Sequence, residues 1–329
     1  MFAPIDRIVP RSVRRTATLT GLVPVALAAV LLTGCGPARP AVPAPAPPSI
    51  PASVRVRVAD RIVTVALEDY VLGSALAEIS PVGESAATIT KVFDVQAILA
   101  RTYAVAHMGR HRAEGFDLCD TTHCQLYEPG RLATSRFAAN ARAAVAATQG
   151  ELLWYDTRPI EALFHSDCGG YTAAPEAIWG GNAVAYLRPM RDTVPALTHH
   201  TWQLVVPRED LRAALNANPR SAAGNRLDAL TVVARDVSGR AAEVQIKGEH
   251  GPVIRGEEFR AIISRALGPK GLQSTRFTVS RRGTAFVFDG SGYGHGAGLC
   301  QTGAMARARR GESVKEILEQ YFPGARLGR

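Results

Sequence analysis

Apolar residues recur at helical spacing between residues 67 and 106, and this pattern predicts two consecutive helices. Glu78 follows on the apolar face of the first helix, and Ser80 and Pro81 end that helix. A short polar insert separates it from the second helix. The two apolar faces are formed by Leu67, Val71 and Ala75, and by Val95, Ile98, Leu99 and Thr102.

A carboxylate at the end of an apolar face has two interpretations. Glu78 is either a helix-end charge that turns to solvent, or an acid held in a partly dry cleft. Burial raises the pKa of a carboxyl group and makes it a general acid, so the two interpretations predict different chemistry. Glu68 and Asp69 at the start of the same helix are expected to be solvated charges that suit the helix dipole.

The rest of the chain mixes strand and helix patterns without regular alternation. This predicts an α+β fold of helices and antiparallel strands, with one compact domain over residues 54–329. A middle section from about Thr198 to Ser274 is expected as a lobe of this domain. Strands are predicted at residues 54–58, 62–65, 152–155, 160–164, 230–234, 242–246, 277–279 and 285–288, and further helices at 134–148, 257–267 and after the capping pair Ser313 and Glu316.

Residues 1–34 have the pattern of a secretory leader. Arginines precede an apolar run over residues 19–32, which is too short for an ordinary spanning helix. The run ends in Leu-Thr-Gly before Cys35, which resembles a bacterial lipobox with Cys35 as the diacylated residue; the alternative is an ordinary signal peptide with an incidental cysteine. The Pro/Ala-rich residues 35–53 predict an extended tether. We therefore expect an exported lipoprotein, held at the periplasmic or outer face of a membrane by lipid on Cys35.

Composition adds a limited constraint on partners. The 329 residues are 47% hydrophobic, which is enough for a large core, and the formal net charge is +9. A modest basic excess suits an anionic wall polymer. No basic stripe with interleaved aromatic residues indicates nucleic acid.

The cysteines after residue 35 suggest two local chemistries. Cys119, His123 and Cys124 lie within six residues, and thiolates and imidazole are the usual ligands of zinc. The nearest candidates for a fourth ligand are His107 and His111. A disulfide between Cys119 and Cys124 that closes a small loop is the alternative.

The remaining cysteines, Cys168 and Cys300, each lie in a glycine-rich stretch. A second disulfide between them is one interpretation. A nucleophilic cysteine paired with His165 is another, and it would predict a peptidase, which nothing else in the chain supports.

Four stretches in order resemble stage II sporulation protein D and the LytB amidase enhancer. They are LEDYVLGSALAE, ARTYA, FHSDCGGYTAAPEAIW and GSGYGHGAGLCQTGAMARARRG. The resemblance implies a cell-wall protein. In sporulation members it implies a lytic transglycosylase acting on peptidoglycan strands that lack stem peptides, and in LytB-like members it implies stimulation of a separate amidase. Some members of the family are associated with zinc in this region, so the resemblance implies a structural zinc ion at Cys119, His123 and Cys124. It implies no other cofactor.

The same resemblance implies a set of site residues. Glu78 is the sole acid–base residue, with Asp167 and Glu176 as the next acids to consider. Arg101 and Tyr103 are expected to face the cleft of Glu78, where Arg101 would hold the lactyl carboxylate of the sugar through paired hydrogen bonds. The other expected substrate-binding residues are His165, Ser166, Tyr171, His295 and Gln301.

Three functions therefore compete for this sequence. The first is a lytic transglycosylase on denuded glycan. The second is a non-catalytic regulator that binds glycan and activates an N-acetylmuramoyl-L-alanine amidase. The third is a structural lipoprotein that binds the wall. Glu78 favours the first.

Overall fold

The computed structural model describes residues 49–194, 199–268 and 271–329. The predicted leader, Cys35 and the tether up to residue 48 lie outside these residues. Within the described residues, no helix combines the length and the apolar character needed to cross a membrane.

Helices and mostly antiparallel strands are mixed along the chain, so the predicted α+β fold is confirmed. The strands are β1 (Ser53–Val58), β2 (Arg61–Ala66), β3 (Leu118–Cys119), β4 (Leu152–Tyr155), β5 (Arg158–Pro159), β6 (Phe164–His165), β7 (Thr201–Pro207), β8 (Leu227–Arg235), β9 (Ala241–Gly248), β10 (Val253–Arg255), β11 (Phe277–Arg282), β12 (Ala285–Ser291), β13 (Leu299–Cys300) and β14 (Arg326–Gly328). The helices are α1 (Leu67–Glu78), α2 (Ala86–Ala106), α3 (Arg131–Thr134), α4 (Ala138–Ala147), α5 (Pro175–Trp179), α6 (Arg208–Asn216), α7 (Gly256–Leu267), α8 (Gln301–Arg309) and α9 (Val314–Tyr321).

A first hydrophobic core is built around α1 and α2. Helix α1 follows β2 directly and ends at Glu78, because Ile79 is extended and Pro81 cannot continue a helix. Helix α2 begins after Ser85, whose hydroxyl accepts the N–H of Thr88 as an N-cap. Most of α2 is buried, with α1, α4, α8 and α9 packed around it. It is therefore the central helix of this core.

A second hydrophobic core extends from Trp202 to Phe288. It contains a sheet in the order β11-β12-β7, a sheet in the order β10-β9-β8, and helices α6 and α7. The strands predicted at residues 230–234 and 242–246 are present as parts of β8 and β9, which pair in antiparallel register. The second core thus continues past Ser274, the residue at which the lobe predicted from sequence ends. Strand β7 and helix α6 were not predicted.

Two predicted elements differ from the structure. Residues 160–164 do not form one strand: Leu163 donates its backbone N–H to Glu161, which turns the chain. The next strand along the chain is Phe164–His165, which pairs in parallel with Leu299–Cys300. The helix predicted from Thr134 begins at Ala138, because Ser135 is extended and interrupts it.

A buried ion pair joins the start of α1 to the C-terminal part of α2. The Arg101 side chain is fully buried, and its Nη2 lies 2.6 Å from Oε2 of Glu68. Its remaining N–H groups reach Thr148 and the carbonyl oxygens of Val145 and Glu151 at the end of α4. Two predictions are therefore wrong: Glu68 is not a free solvated charge, and Arg101 has no exposed guanidinium edge for a sugar carboxylate.

We predict that Glu68→Gln destabilises the protein strongly, because it leaves the Arg101 charge buried without a counter-ion. Loss of one partner of a buried pair costs about 3–5 kcal/mol of unfolding free energy. The control is Glu319→Gln, which breaks the exposed Lys315–Glu319 pair of α9 and should cost less than about 1 kcal/mol. Urea unfolding measures both, and equal small losses would contradict the structural role of the pair.

Candidate functional site

Glu78 is placed by close packing between α1 and the segment that follows the Cys–His stretch. The ring of Tyr127 lies against Gly73 of α1, where an added Cβ would come within 2.6 Å of the ring. Tyr127 also stacks on Tyr70, with ring centroids 5.0 Å apart. This packing brings the backbone N–H of Leu126 within 2.7 Å of Oε1 of Glu78. Glycine at residue 73 is therefore needed for the contact that holds the carboxyl group.

The Glu78 carboxyl group has the properties of a general acid. Burial raises its pKa from 4.5 to about 7; the Leu126 N–H opposes this shift, and the charge of Glu128 adds to it. The side chain is half-buried, so a ligand can reach it. A carboxyl group with a pKa near neutrality can donate a proton and then accept one. Of the two interpretations of Glu78, the structure favours the acid in a partly dry cleft.

The Cys–His stretch folds so that four potential metal ligands converge. Ligand atoms of His111, Cys119, His123 and Cys124 all lie within 4.8 Å of one another. Of the two histidines that the sequence offered as a fourth ligand, His111 is the one that joins the group. His107 instead stacks on Tyr103, with ring centroids 4.0 Å apart.

The two thiols of this group differ in acidity. Burial raises the pKa of Cys119, but hydrogen bonds with Thr121 and His123 outweigh burial and lower it to about 6. Burial raises the pKa of Cys124 to about 11. One thiolate, one thiol and two imidazoles form a donor set that fits a zinc-class ion, and these four residues would hold it. The ion would crosslink the segment that precedes Leu126.

Tyr103 lies beside this group and is buried. Its hydroxyl oxygen accepts a hydrogen bond from Arg110 at 3.3 Å. Burial raises its pKa above the usual tyrosine range, with the nearby Cys124 and Cys119 as smaller causes. Tyr103 is therefore a neutral wall of the Cys–His group, and it does not share a surface with Arg101.

His165 and His295 form a different cluster. Their ring centroids are 5.5 Å apart, and the half-exposed Trp179 lies 5.2 Å from His295. Burial lowers the pKa of His165 well below 6.5 and that of His295 to about 3, so both rings are neutral. Nδ1 of His165 donates to the carbonyl of Ala297, whose N–H in turn donates to Nδ1 of His295. Among the described residues, no hydrogen bond links either histidine to Glu78.

The remaining predicted ligands lie around the same pair of stretches. Ser166 is exposed next to His165, and its carbonyl accepts the N–H of Thr302. Tyr171 is half-buried and forms an isolated antiparallel bridge with Arg191. Gln301 donates to the Gln96 side chain of α2 at 3.1 Å, which ties this region to the central helix.

A cavity of about 280 Å³ lies near the end of α1 and contains residues that the sequence analysis missed. Its lining includes Ser80, two residues after Glu78, and the arginines Arg131 and Arg136. Arg131 is paired with Glu128 at 2.6 Å, whereas Arg136 is exposed and has no acidic partner within 4.0 Å among the described residues. Arg136 thus replaces Arg101 as the candidate for binding a substrate carboxylate. The family resemblance pointed to Arg101. No signal in the sequence pointed to Arg136, because it lies in the bend between α3 and α4.

A wider groove of about 660 Å³ lies on the β7-β12-β11 sheet. Its lining includes Trp202, Arg235 and Asp289 but none of the predicted site residues. The titratable groups with strongly shifted pKa values and the Cys–His group lie outside this groove. We therefore place the candidate site where these groups lie, and not at the cavity of greater volume.

Two family models match the chain. The one described as stage II sporulation protein, SpoIID, matches residues 57–155. This region contains Glu78, the Cys–His group and α1 to α4. A domain of unknown function matches residues 195–298, which cover nearly all of the second core.

Relatives extend the similarity over most of the chain. Stage II sporulation protein D of Bacillus subtilis is 28% identical over 293 residues, which cover 84% of this chain and 79% of the relative. The protein of the same name from Bacillus amyloliquefaciens is 29% identical over 274 residues, or 79% and 73% of the two chains. The amidase enhancer of Bacillus subtilis is 27% identical over 277 residues, which cover 70% of this chain but only 37% of the enhancer. The resemblance inferred from the four stretches is confirmed.

We predict that the stability difference between the parent protein and Glu78→Gln depends on pH. The folded state prefers protonated Glu78, whereas the unfolded chain ionises it near pH 4.5. The free energy of unfolding of the parent therefore falls as pH rises from about 4.5 to about 7. That of the amide variant does not show this fall, because residue 78 no longer titrates. Melting temperatures at about pH 5 and about pH 8 measure the effect, with exposed Asp69→Asn as the control for net charge. A difference that is constant with pH would contradict the raised pKa.

Proposed function

Because this chain carries a SpoIID-family domain, we propose that it is a lytic transglycosylase that cleaves peptidoglycan glycan strands lacking stem peptides. The observation that carries the proposal is the half-buried Glu78, with a pKa of about 7, inside the segment that matches the family. We place the protein outside the cytoplasm, as its leader pattern indicates, with Cys35 as the lipid anchor.

The proposed reaction needs only one carboxyl group. Protonated Glu78 donates its proton to the glycosidic oxygen, and the bond from that oxygen to the sugar C1 breaks. The resulting carboxylate then accepts the proton of the sugar's own 6-hydroxyl, whose oxygen bonds to C1 and closes a 1,6-anhydro ring. The proton lost in the first step is regained in the second, and no water is consumed.

The surroundings of Glu78 support this use of one group. Oε1 is held by the Leu126 N–H, which leaves Oε2 to exchange the proton. The pKa of about 7 lets both protonation states be populated near neutral pH, as an acid that later acts as a base requires. The cavity at Ser80 offers Arg136 to the lactyl carboxylate of a muramic acid residue.

We also propose that His111, Cys119, His123 and Cys124 hold a zinc-class ion with a structural role. An ion there would fix the segment that ends at Leu126, and so the hydrogen bond to Glu78. The proposed role of this ion does not include polarising the substrate. Its contribution is to keep the acid–base group in one position.

We expect Glu78→Gln to slow glycan cleavage by roughly a hundredfold to ten-thousandfold, because the amide cannot donate the proton. The amide oxygen can still accept the Leu126 N–H, so folding and glycan binding should persist. Mass spectrometry of anhydro ends on purified glycan, together with a melting curve of the same variant, tests this. Full turnover by a well-folded Glu78→Gln protein would refute the catalytic assignment.

The match to an amidase enhancer supports one alternative. A regulator would bind denuded glycan, leave it unaltered, and stimulate a separate amidase. The Glu78→Gln variant should then stimulate that amidase as well as the parent protein does. Unaltered strands that retain the parent protein would therefore favour the regulator over the enzyme.

We expect His111→Gln to lose bound metal, because it removes one of the four ligands. The control is His107→Gln, which alters the neighbouring histidine that stacks on Tyr103 and should leave the metal in place. Elemental analysis, with thiol titration of the unfolded and unreduced protein, gives the result. A Cys119–Cys124 disulfide without metal would support the alternative stated from sequence, and two free thiols without metal would exclude both.

A further inference from the structure

A second group of thiol, imidazole and carboxylate side chains shares no residue with the Cys–His group. Ligand atoms of Asp167, Cys168, His199 and Cys300 all lie within 4.8 Å of one another. Both cysteines are fully buried. The side chains of His199 and Asp167 are only 5% and 3% exposed, so this is an interior site and not a surface cluster. Segments far apart in sequence meet here, because β6 and β13 pair in parallel and bring Cys300 beside His165.

The imidazole of His199 is oriented as a ligand. Its Nδ1 lies 2.9 Å from Oδ1 of Asp167, which also accepts the N–H of Gly169, while Oδ2 accepts the N–H of His200. Because Nδ1 of His199 faces Asp167, Nε2 is the ring nitrogen that is directed away from this carboxylate. That Nε2 is buried and has no partner among the described residues.

The two sulfur atoms are surrounded by backbone N–H donors. The N–H of Gly170 points to Sγ of Cys168 at 3.3 Å. Sγ of Cys300 accepts the N–H of Cys168 at 3.2 Å and that of Gly303, in the first turn of α8, at 3.3 Å. Both sulfur atoms are thus held by backbone contacts, within 4.8 Å of the ligand atom of His199.

A carboxylate lies next to the sulfurs. Oδ2 of Asp192 lies 3.6 Å from Sγ of Cys168, a spacing that two ligands of one small ion would have. The Tyr321 hydroxyl donates to the same oxygen at 2.7 Å and orients it. Arg307 lies 3.5 Å from the other oxygen, and Arg240 donates to the Cys168 carbonyl. Cationic side chains therefore lie beside the anionic groups, with Arg307 shared between Asp192 and Glu312, the latter at 3.1 Å.

We propose that Cys168, Cys300 and His199 bind a second zinc-class cation, with Asp192 as the fourth ligand and Asp167 as the residue that positions His199. The site is closed and structural, because all four ligands come from the protein and the group is buried. It joins the turn after β6, the segment that precedes β7 and the start of α8. A carboxylate that holds the far nitrogen of a metal-binding histidine is a recurrent arrangement in such sites.

A disulfide between Cys168 and Cys300 is the competing use of the two sulfurs. It would leave Nε2 of His199 buried with no partner, and it would give the Asp167–His199 pair no function. An unsatisfied buried nitrogen costs free energy, whereas a cation satisfies it together with both thiolates. The orphaned nitrogen is thus the observation that favours metal.

The test measures zinc per chain and the visible spectrum after Co²⁺ substitution in the full chain. We expect Cys119→Ser/Cys124→Ser to retain one tightly bound ion with a thiolate-to-cobalt band, since the second group is intact. In that background, His199→Gln should lose the ion, whereas His200→Gln, which changes the neighbouring imidazole, should keep it. Asp167→Asn should weaken zinc binding by roughly tenfold to a hundredfold, because it loosens the orientation of His199.

Two results would overturn the proposal. One is a Cys119→Ser/Cys124→Ser protein that folds and binds no ion. The other is mass spectrometry of unreduced, alkylated peptides that shows Cys168 linked to Cys300. Both results come from chains that keep the second group unchanged. The second result uses the unmutated protein, so it does not depend on whether a variant folds. Neither depends on whether the Cys119 group binds metal or whether glycan is cleaved.

Discussion

The buried ion pair between Arg101 and Glu68 determines where α1 lies, and α1 determines where Glu78 lies. Arg101 comes from the central helix and also bonds the end of α4, so it holds three helices at one point. Helix α1 has 12 residues and is about 18 Å long, which puts Glu78 at the opposite end from Glu68. Glu68 therefore anchors the helix, and Glu78 at its other end is left for chemistry.

At the far end of α1, the packing of Tyr127 on Gly73 and Tyr70 gives Glu78 its environment. Burial disfavours the carboxylate, and a single backbone N–H from Leu126 limits the effect without cancelling it. A carboxyl group in the open would ionise well below neutral pH, and one with several N–H donors would too. The balance depends on the segment from Cys119 to Tyr127, so the proposed ion within that segment would help to hold the proposed acid–base group.

The part of the chain that the structure describes contains two groups of cysteine and histidine, which are assembled in different ways. In the first, Cys119, His123 and Cys124 are close in sequence, and only His111 is brought from further away. In the second, Cys168, His199 and Cys300 are separated by tens of residues or more, and the parallel pairing of β6 with β13 assembles them. The cysteines of both groups belong to the first core, which is built around α1 and α2. An ion bound in either group would crosslink loops. Hydrophobic packing alone holds loops less firmly than it holds helices.

Local patterns determined much of this protein. Apolar spacing located α1, its end at Glu78, and a central α2, since residues three and four apart share one face of a helix. The family resemblance misplaced Arg101, because a motif shows which residue types recur but not what each side chain contacts in this fold. Burial of the guanidinium against Glu68, the approach of Leu126 to Glu78 and the position of Arg136 all follow from contacts across tens of residues. Short spacing revealed the first metal-ligand group, whereas the partner of Cys168 and Cys300 could not be read from the chain, because His199 reaches them only after strands far apart in sequence have paired.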